Sequence, residues 1–186
     1  YIDKLWVGAP LVVHRRCDEP MFSLCNVIAY DNAMVNGKPG KYRDTGLKSQ
    51  WVHVSGTEAS DHWLTEEGVA LDKLLARLIE AGIAPSDIFL ISPFRSVVQE
   101  LTKRAKGALS ELQAGTIHTV QGKEASVVIL VLGGNPERHG AKQWASEEPN
   151  LLNVAASRSK QYLYVIGNRD EWAKYPYFSD AAAALA

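Results

Sequence analysis

The run VVILVL at residues 127–132 is the sequence feature that most constrains the fold. All of its residues are apolar, so they do not alternate with polar residues as those of a half-exposed strand do. A strand of this composition is buried on both faces, which is typical of the middle of a parallel sheet covered by helices. The run therefore predicts an α/β fold.

Other short apolar runs predict the remaining strands of this sheet, at Leu11–Val13, Trp51–Val54, Ile88–Ser92, Thr116–Thr119 and Tyr162–Ile166. Amphipathic patterns between these runs predict helices over 20–32, 66–81 and 96–112, with a fourth beginning near Asn150. Gly82 stands where the helix over 66–81 needs a left-handed C-terminal cap. Because strands that alternate with helices form right-handed crossovers, we expect an open parallel sheet with helices on both faces.

The length of 186 residues predicts a single domain over 1–186. Surface loops are expected at 36–50 and 133–149, which are rich in Gly, Lys, Pro and Asn, and a fraying C-terminal tail at 179–186. The chain starts at Tyr1 rather than Met, which leads us to expect a piece of a longer protein.

Charge and composition exclude several classes of protein. Lys and Arg total 20 against 21 acidic residues, so the chain is not a polycation that binds nucleic acid by bulk charge, although a local basic strip remains open. It has no apolar run long enough to span a membrane, no secretory signal and only two cysteines, so we expect a cytoplasmic protein without a membrane partner.

The chain also lacks the common motifs of a self-sufficient nucleotide or metal site. Neither a GxxxxGK[ST] phosphate loop nor a GxGxxG turn occurs in it. Its five histidines have no metal-ligand spacing, so we expect no metal site.

Four polar segments remain as candidate functional sites. In NLLNVAASRSK (150–160), Asn150 is expected to cap a helix whose Leu151, Val154 and Ala155 face the sheet. Arg158 continues this stripe at the far end of the helix, so it must meet an anion, a carboxylate partner or a cleft. From these residues alone, a structural ion pair is as good an explanation as a ligand site.

The other three segments follow predicted strands. The elbow Gln121-Gly122-Lys123-Glu124 joins two strands and is expected at a sheet end where ligands gather, although it could be a simple turn. His14-Arg15-Arg16 ends a strand with two guanidinium forks, which could bind an anion or form a surface pair. Ser92-Pro93-Phe94 leads into a helix N-terminus, a place that suits a backbone phosphate but is also a routine turn.

In this order, the four segments resemble those of the second, C-terminal RecA-like motor domain of superfamily 1 helicases. The similar branch contains the nonsense-mediated-decay helicase and its DNA-acting relatives. HRRC with the later Pro20, Asn26 and Tyr30 is similar to one motif of that branch, and ISPFRSVVQEL, GTIHTVQGKE and NLLNVAASRSKQYLYVIGN are similar to three others. The resemblance implies a RecA-like fold of the P-loop NTPase type that lacks its own phosphate loop.

The resemblance also implies partners and site residues. ATP with Mg²⁺ would bind between this domain and an N-terminal RecA-like domain of the same protein, which supplies the phosphate loop and the magnesium ligands. This domain would supply Arg16 and Arg158 as arginine fingers, while other nucleotide-binding residues would be Arg15, Gln121, Gly122, Lys123 and Glu124. Single-stranded DNA or RNA would contact Ser92, Pro93, His118 and Thr119.

Two alternatives to a motor domain remain at this point. The domain could be a nucleic-acid or partner platform that no longer supports ATP turnover, or a small-molecule α/β enzyme with a cleft around Glu124. Arg15 stands where the helicase branch usually has tyrosine, so the choice between Arg15 and Arg16 as the finger stays open.

Overall fold

The computed structural model describes residues 12–37, 46–106, 109–117, 119, 123–138 and 140–186. Its strands are β1 Val13–His14, β2 Val35–Asn36, β3 Gln50–His53, β4 Ala59–Ser60, β5 Trp63–Leu64, β6 Ile88–Ser92, β7 Gln113–Thr116, β8 Ala125–Val131 and β9 Ser159–Gly167. Its helices are α1 Met21–Ala29, α2 Thr65–Glu80, α3 Arg95–Ala105, α4 Gly140–Ala145, α5 Asn150–Arg158, α6 Arg169–Trp172 and α7 Phe178–Ala184, with a 3₁₀ turn at Pro85–Asp87.

The centre of the fold is a five-stranded parallel sheet in the order β3-β9-β8-β6-β7. β8 lies in its middle, and Val127–Val131 have no exposed surface. The prediction that the run 127–132 is a buried central strand of a parallel sheet is therefore confirmed. β1 and β2 form a separate parallel pair, and β4 pairs with β5 in an antiparallel one.

The connections reverse direction along the sheet. The chain passes from β6 through α3 to β7 on one side, and from β8 through α5 to β9 on the other. Because such crossovers are right-handed, α2 and α3 cover one face and α5 covers the opposite face, where α1 packs against it. The reversal between the neighbouring strands β6 and β8 is a topological switch point.

The predicted helix over 66–81 is confirmed as α2, with Leu71, Leu74, Leu75 and Leu78 buried. Gly82 has φ +86°, the left-handed conformation expected at this cap. None of the helices in the described part of the chain has both the length and the apolar character that crossing a membrane requires.

Two predicted boundaries are wrong. The strand expected at Thr116–Thr119 is β7 at Gln113–Thr116, because Phe89–Ser92 of β6 pair with these residues. Gln, Ala and Gly have weak strand preference, so sheet pairing rather than local sequence sets this strand. The helix expected over 96–112 correspondingly ends at Ala105.

The loop prediction at 133–149 is wrong in its second half, and the tail at 179–186, expected to fray, is mostly a packed helix. Residues 140–145 form α4, whose C-terminal turn buries Ala145. Residues 178–184 form α7, and Phe178 packs on Trp172 with ring centroids 4.7 Å apart. Ala181 and Ala182 of α7 are also buried, so this last helix packs against the core.

Candidate nucleotide site at the amino edge of the sheet

Two strand beginnings and one helix end bring the site together. Ala125 of β8 pairs with Ser159 of β9, so Glu124 lies beside the junction where α5 ends at Arg158 and β9 begins. The turn after β1 is attached to the same place, since the Asp18 N–H donates to the Lys160 carbonyl at 3.1 Å. We call this end of the sheet the amino edge, because β8 and β9 start there.

A cleft of about 890 Å³ opens at the amino edge. Four cationic side chains line it, Arg15, Arg16, Arg158 and Lys160, which we call the cationic cleft. Among the described residues that line it, Glu124 is the only carboxylate. The lining also includes the apolar or aromatic side chains of Val13, Tyr30, Met34 and Val154. The cleft therefore has the charge balance of a site for a polyanion with an apolar part.

Glu124 organises two of the four cations. One of its carboxylate oxygens lies 2.6 Å from Lys160 Nζ, and the other lies 3.2 Å from Arg16 Nε. Lys160, by hydrogen bond and charge, then Arg16 and Arg158 hold the pKa of Glu124 below its usual value, so the carboxylate stays ionised. The Arg16 guanidinium meets Glu124 through Nε, and a guanidinium group carries five N–H donors, so it can also donate to another anion.

Arg158 has a different environment. Its Nε is buried and has no hydrogen-bond partner among the described residues, and none of the ion pairs in that part of the chain involves it. Asn153 Oδ1, which also lines the cleft, is buried without a described hydrogen-bond partner. A buried donor without a partner costs about 1–3 kcal/mol, so these groups favour a ligand site over the structural ion pair that the sequence left open.

The turn that carries Arg15 and Arg16 is held by its neighbours. His14 Nε2 accepts the Cys17 backbone N–H at 3.1 Å and lies 2.9 Å from the Cys17 thiol. Burial, with the Arg16 charge, lowers the pKa of His14 and so maintains this nitrogen as an acceptor. The side-chain amide of Asn26 in α1 accepts the Met34 N–H at 2.9 Å and donates to the Met34 carbonyl at 3.1 Å. These two bonds support β2 beside β1.

The sequence predictions for this site are met unevenly. The structure brings Arg15, Arg16, Glu124 and Arg158 to one cleft, whereas Lys123 does not line it and instead has Nζ 5.9 Å from the Phe89 ring centroid. Gln121 and Gly122 lie outside the described residues, as does His118.

The position of Glu124 corrects one expectation. It was expected where ligands gather at the carboxyl ends of strands, but it precedes β8 and so lies at the amino edge. The connection from β7 to β8 must cross between the two edges because the strands are parallel.

The face of α5 toward the core was assigned only in part, since Ala155 is buried as expected while Leu151 and Val154 are partly buried against the core. Leu152, Ala155 and Ala156 are the buried residues, and Asn150 is the first helical residue rather than a side-chain cap. Asn153 with Ser157, and Val154 with Arg158, line the cleft as i, i+4 pairs, a spacing that could have identified this face. Sequence reasoning likewise missed Lys160, the second residue of β9, which lies two positions after Arg158.

The described residues among those predicted to contact nucleic acid, Ser92, Pro93 and Thr119, lie at the other end of the sheet, which we call the carboxyl edge. Ser92 and Pro93 are buried, and Ser92 Oγ accepts the Phe94 N–H at 3.3 Å, while their contact with nucleic acid stays a prediction. Thr119 is exposed, and its hydroxyl donates to the Thr116 carbonyl at 2.9 Å. A strand as long as β8 separates the edges by about 20 Å.

Comparison with known proteins decides the family. A family model described as an AAA domain matches residues 11–170, which include every residue of the cationic cleft. The chain belongs to this AAA domain family. The domain has a largely parallel sheet flanked by helices, in agreement with the RecA-like fold that the motif resemblance implied.

Relatives of this AAA domain include several helicases. It is 30% identical over 177 residues to the DNA replication ATP-dependent helicase/nuclease DNA2 of Gallus gallus, covering 89% of this chain and 17% of that protein. It is 28% identical to the DNA polymerase alpha-associated DNA helicase A of Schizosaccharomyces pombe, covering 72% of this chain and 20% of that protein. It is 26% identical to a Regulator of nonsense transcripts 1 homolog of Neurospora crassa, covering 67% of this chain and 12% of that protein.

These relatives make the chain a superfamily 1 helicase domain, as its motifs predicted. The chain spans no more than 20% of the length of these three relatives.

Proposed function

We propose that this AAA domain forms the arginine-bearing side of an ATP site that a second domain completes, in a helicase or translocase acting on single-stranded nucleic acid. The observation that carries the proposal is the cationic cleft, in which three arginines and Lys160 converge and the buried Arg158 Nε has no described partner. The absence of a phosphate loop from the sequence supports a shared site.

The residues of the cleft fit a nucleoside triphosphate but not its metal ion. Four cations against one carboxylate match a polyphosphate, and planar guanidinium groups bind phosphate oxygens in pairs. Among the described residues no group of His, Cys, Asp and Glu side chains could hold a metal ion, and Glu124 is already engaged by two cations. The proposal therefore assigns the Mg²⁺ ligands to the second domain.

In this proposal, the domain contributes positive charge to the phosphates of ATP. Bound ATP would supply the phosphoryl group whose transfer to water drives movement. Arg158 and Arg16 place positive charge against the oxygens that become more negative during transfer, a contribution worth about 10³–10⁵ in rate for an arginine finger. Glu124 orients Arg16 and Lys160, and Arg15 adds a further cation at the mouth of the cleft.

Nucleic acid is assigned to the carboxyl edge in this proposal. Thr119 is exposed there, and Arg95 is exposed beside it on the next strand–helix junction. Contacts to a sugar–phosphate backbone give affinity without sequence preference and weaken with salt. Separate edges allow the nucleotide and the strand to be bound at the same time.

Substitution of Arg158 tests the proposal. In the full-length protein, Arg158→Ala should lower kcat for nucleic-acid-stimulated ATP hydrolysis by about 10³-fold or more. Affinity for a single strand should stay within about twofold, because the cleft lies at the opposite edge. Steady-state ATPase assays and fluorescence anisotropy measure the two quantities.

Two variants serve as controls. Arg158→Lys keeps the charge but loses the planar fork and should recover only part of the rate. Arg77→Ala removes an exposed arginine of α2 that does not line the cleft and should leave kcat unchanged. Near wild-type turnover in Arg158→Ala would exclude the finger role. Nucleic-acid binding without any ATPase activity in the wild-type protein would instead favour a platform without turnover.

A further inference from the structure

Three aromatic rings lie in contact at the carboxyl edge of the sheet. His62 stacks on Phe94 with ring centroids 4.1 Å apart and planes 20° apart, and Trp144 also packs on Phe94, with centroids 6.2 Å and planes 38° apart. We call His62, Phe94 and Trp144 the aromatic stack. Trp144 comes from α4, in the segment for which the motifs of the chain provide no role.

Trp144 is exposed, unlike the other described tryptophans. Its exposed fraction is 57%, against 7% for Trp51, 9% for Trp63 and 0% for Trp172. A half-exposed indole fixed on a buried ring presents a rigid apolar surface at low conformational cost. Phe94 is itself 6% exposed, so the stack is anchored in the core.

The backbone around the stack holds it at the switch point of the sheet. Phe94 follows β6, and Gly133 and Gly134 follow the neighbouring strand β8. The Gly134 N–H donates to the His62 carbonyl at 2.9 Å, and a Cβ at Gly133 would lie 2.5 Å from the same oxygen. The carboxyl ends of β6 and β8, from which the connections run in opposite directions, are where open α/β sheets bind ligands.

Cationic residues lie in the segments that carry the three rings. Arg95 directly follows Phe94, is exposed, and makes no ion pair within the described part of the chain. Lys142 lies on α4 two residues before Trp144, and the exposed Arg138 pairs with Asp61 next to His62. Exposed rings beside cations are the pattern with which proteins bind single strands, because bases stack on the rings and cations contact the phosphates.

We propose that Trp144 stacks on an unpaired base of single-stranded nucleic acid at the carboxyl edge, with His62 and Phe94 holding the indole and Arg95 contacting a neighbouring phosphate. The inference rests on the proposed function, which places the strand at this edge. It adds the residue that contacts a base, in a region where the predicted contacts Ser92 and Pro93 are buried.

A pair of matched strands separates base stacking from phosphate binding. One probe is oligo(dT) of about 20 nucleotides, and the other has the same length of backbone with abasic sites in place of the bases. In the full-length protein, Trp144→Ala should weaken oligo(dT) binding by about tenfold or more and leave binding of the abasic strand unchanged. Trp144→Phe keeps a ring and should retain most of the affinity.

Fluorescence gives an independent readout. Oligo(dT) should quench the tryptophan emission of wild type much more than that of Trp144→Phe, because the Trp144 indole contacts the base directly. Val27→Ala, which removes an exposed apolar side chain of α1 on the other face, should match wild type with both strands. Thermal unfolding of each variant verifies that the fold is retained.

Other results would overturn the inference in distinguishable ways. If Trp144→Ala bound oligo(dT) as wild type does, or lost affinity equally for both strands, stacking would be wrong while the cationic-cleft proposal stood. If Trp144→Ala instead weakened contact between this domain and the rest of the protein, Trp144 would be a protein contact. If wild type bound neither strand, both this inference and the nucleic-acid part of the proposed function would fail, whereas the Arg158 result would be unaffected.

Discussion

At the scale of single residues, Glu67 is the most unusual group outside the cationic cleft. It is fully buried in α2, where one carboxylate oxygen accepts the Gly133 N–H at 2.8 Å. Its other oxygen has no hydrogen-bond partner among the described residues. Burial, helped by the nearby Glu66 charge, raises the pKa of Glu67 to about 8, although the Gly133 hydrogen bond and Lys142 oppose the shift. The folded domain therefore holds a proton on this side chain at neutral pH.

This proton makes stability depend on pH in a defined direction. Between the ordinary pKa of 4.5 and the folded pKa of about 8, the folded state binds more protons than the unfolded state. The free energy of unfolding should therefore fall as pH rises through this window, by at most about 1.4 kcal/mol per pH unit from this group. Glu67→Gln keeps an acceptor for the Gly133 N–H and removes the titration. Urea unfolding at pH 5 to 9 measures this free energy. As pH rises, the free energy of unfolding of Glu67→Gln should increase relative to that of wild type. If the two proteins showed the same dependence on pH, the raised pKa of Glu67 would be contradicted.

At the scale of elements, the junctions between strands and helices carry the sites. The α5–β9 junction places Arg158 beside Lys160, and the turn after β1 places Arg16 against the same Glu124. At the other edge, the β8–α4 connection places Gly133 under His62 with φ +60°. A side chain there would meet both the His62 carbonyl and Val97 Cγ2, at 2.5 and 2.7 Å.

Two glycines with similar backbone angles test how tightly this connection packs. Gly82 also has positive φ, at +86°, but no atom lies within 4 Å of the position that a Cβ would take there. Gly82→Ala should therefore cost only the left-handed conformation, about 1–2 kcal/mol. Gly133→Ala should cost at least about 1 kcal/mol more, because His62 and Val97 must also move. If urea unfolding gave the same loss of stability for Gly82→Ala and Gly133→Ala, the close approach of residue 133 to His62 and Val97 would not contribute to stability.

At the scale of the whole molecule, the sheet separates two surfaces of different chemistry. The cationic cleft lies at the amino edge, and the aromatic stack lies at the carboxyl edge about one strand length away. In the proposed function, a rigid central sheet connects a nucleotide surface to a nucleic-acid surface.

This arrangement predicts how the 186-residue chain behaves without other domains. It should bind oligo(dT) with an affinity that falls as salt rises, yet hydrolyse no ATP, because phosphate-loop and Mg²⁺ ligands are assigned to the second domain. Anisotropy across a salt series and a coupled ATPase assay measure both properties, with the full-length protein as the positive control. Robust hydrolysis by the chain alone would overturn the shared-site proposal.

Much of the fold and the residues of the cleft could be predicted from local sequence. VVILVL indicated a buried parallel strand because a strand between helical layers has no polar face, and the leucine stripe of α2 indicated which side packs on the sheet. The order of the four motifs identified the helicase family and pointed to Arg16, Glu124 and Arg158.

Only the tertiary structure decided where those residues lie and which others join them. Pairing with β6 set the position of β7, and the parallel arrangement of β7 and β8 moved Glu124 to the amino edge. Trp144 of α4 packs on Phe94, and Phe178 of α7 packs on Trp172, so both helices meet residues of other elements. Lys160 and Trp144 have no local signal because their surroundings come from distant parts of the chain, whereas Asn153 shares a helical face with Ser157. Sequence determines elements through short-range periodicity, whereas a site depends on how those elements meet.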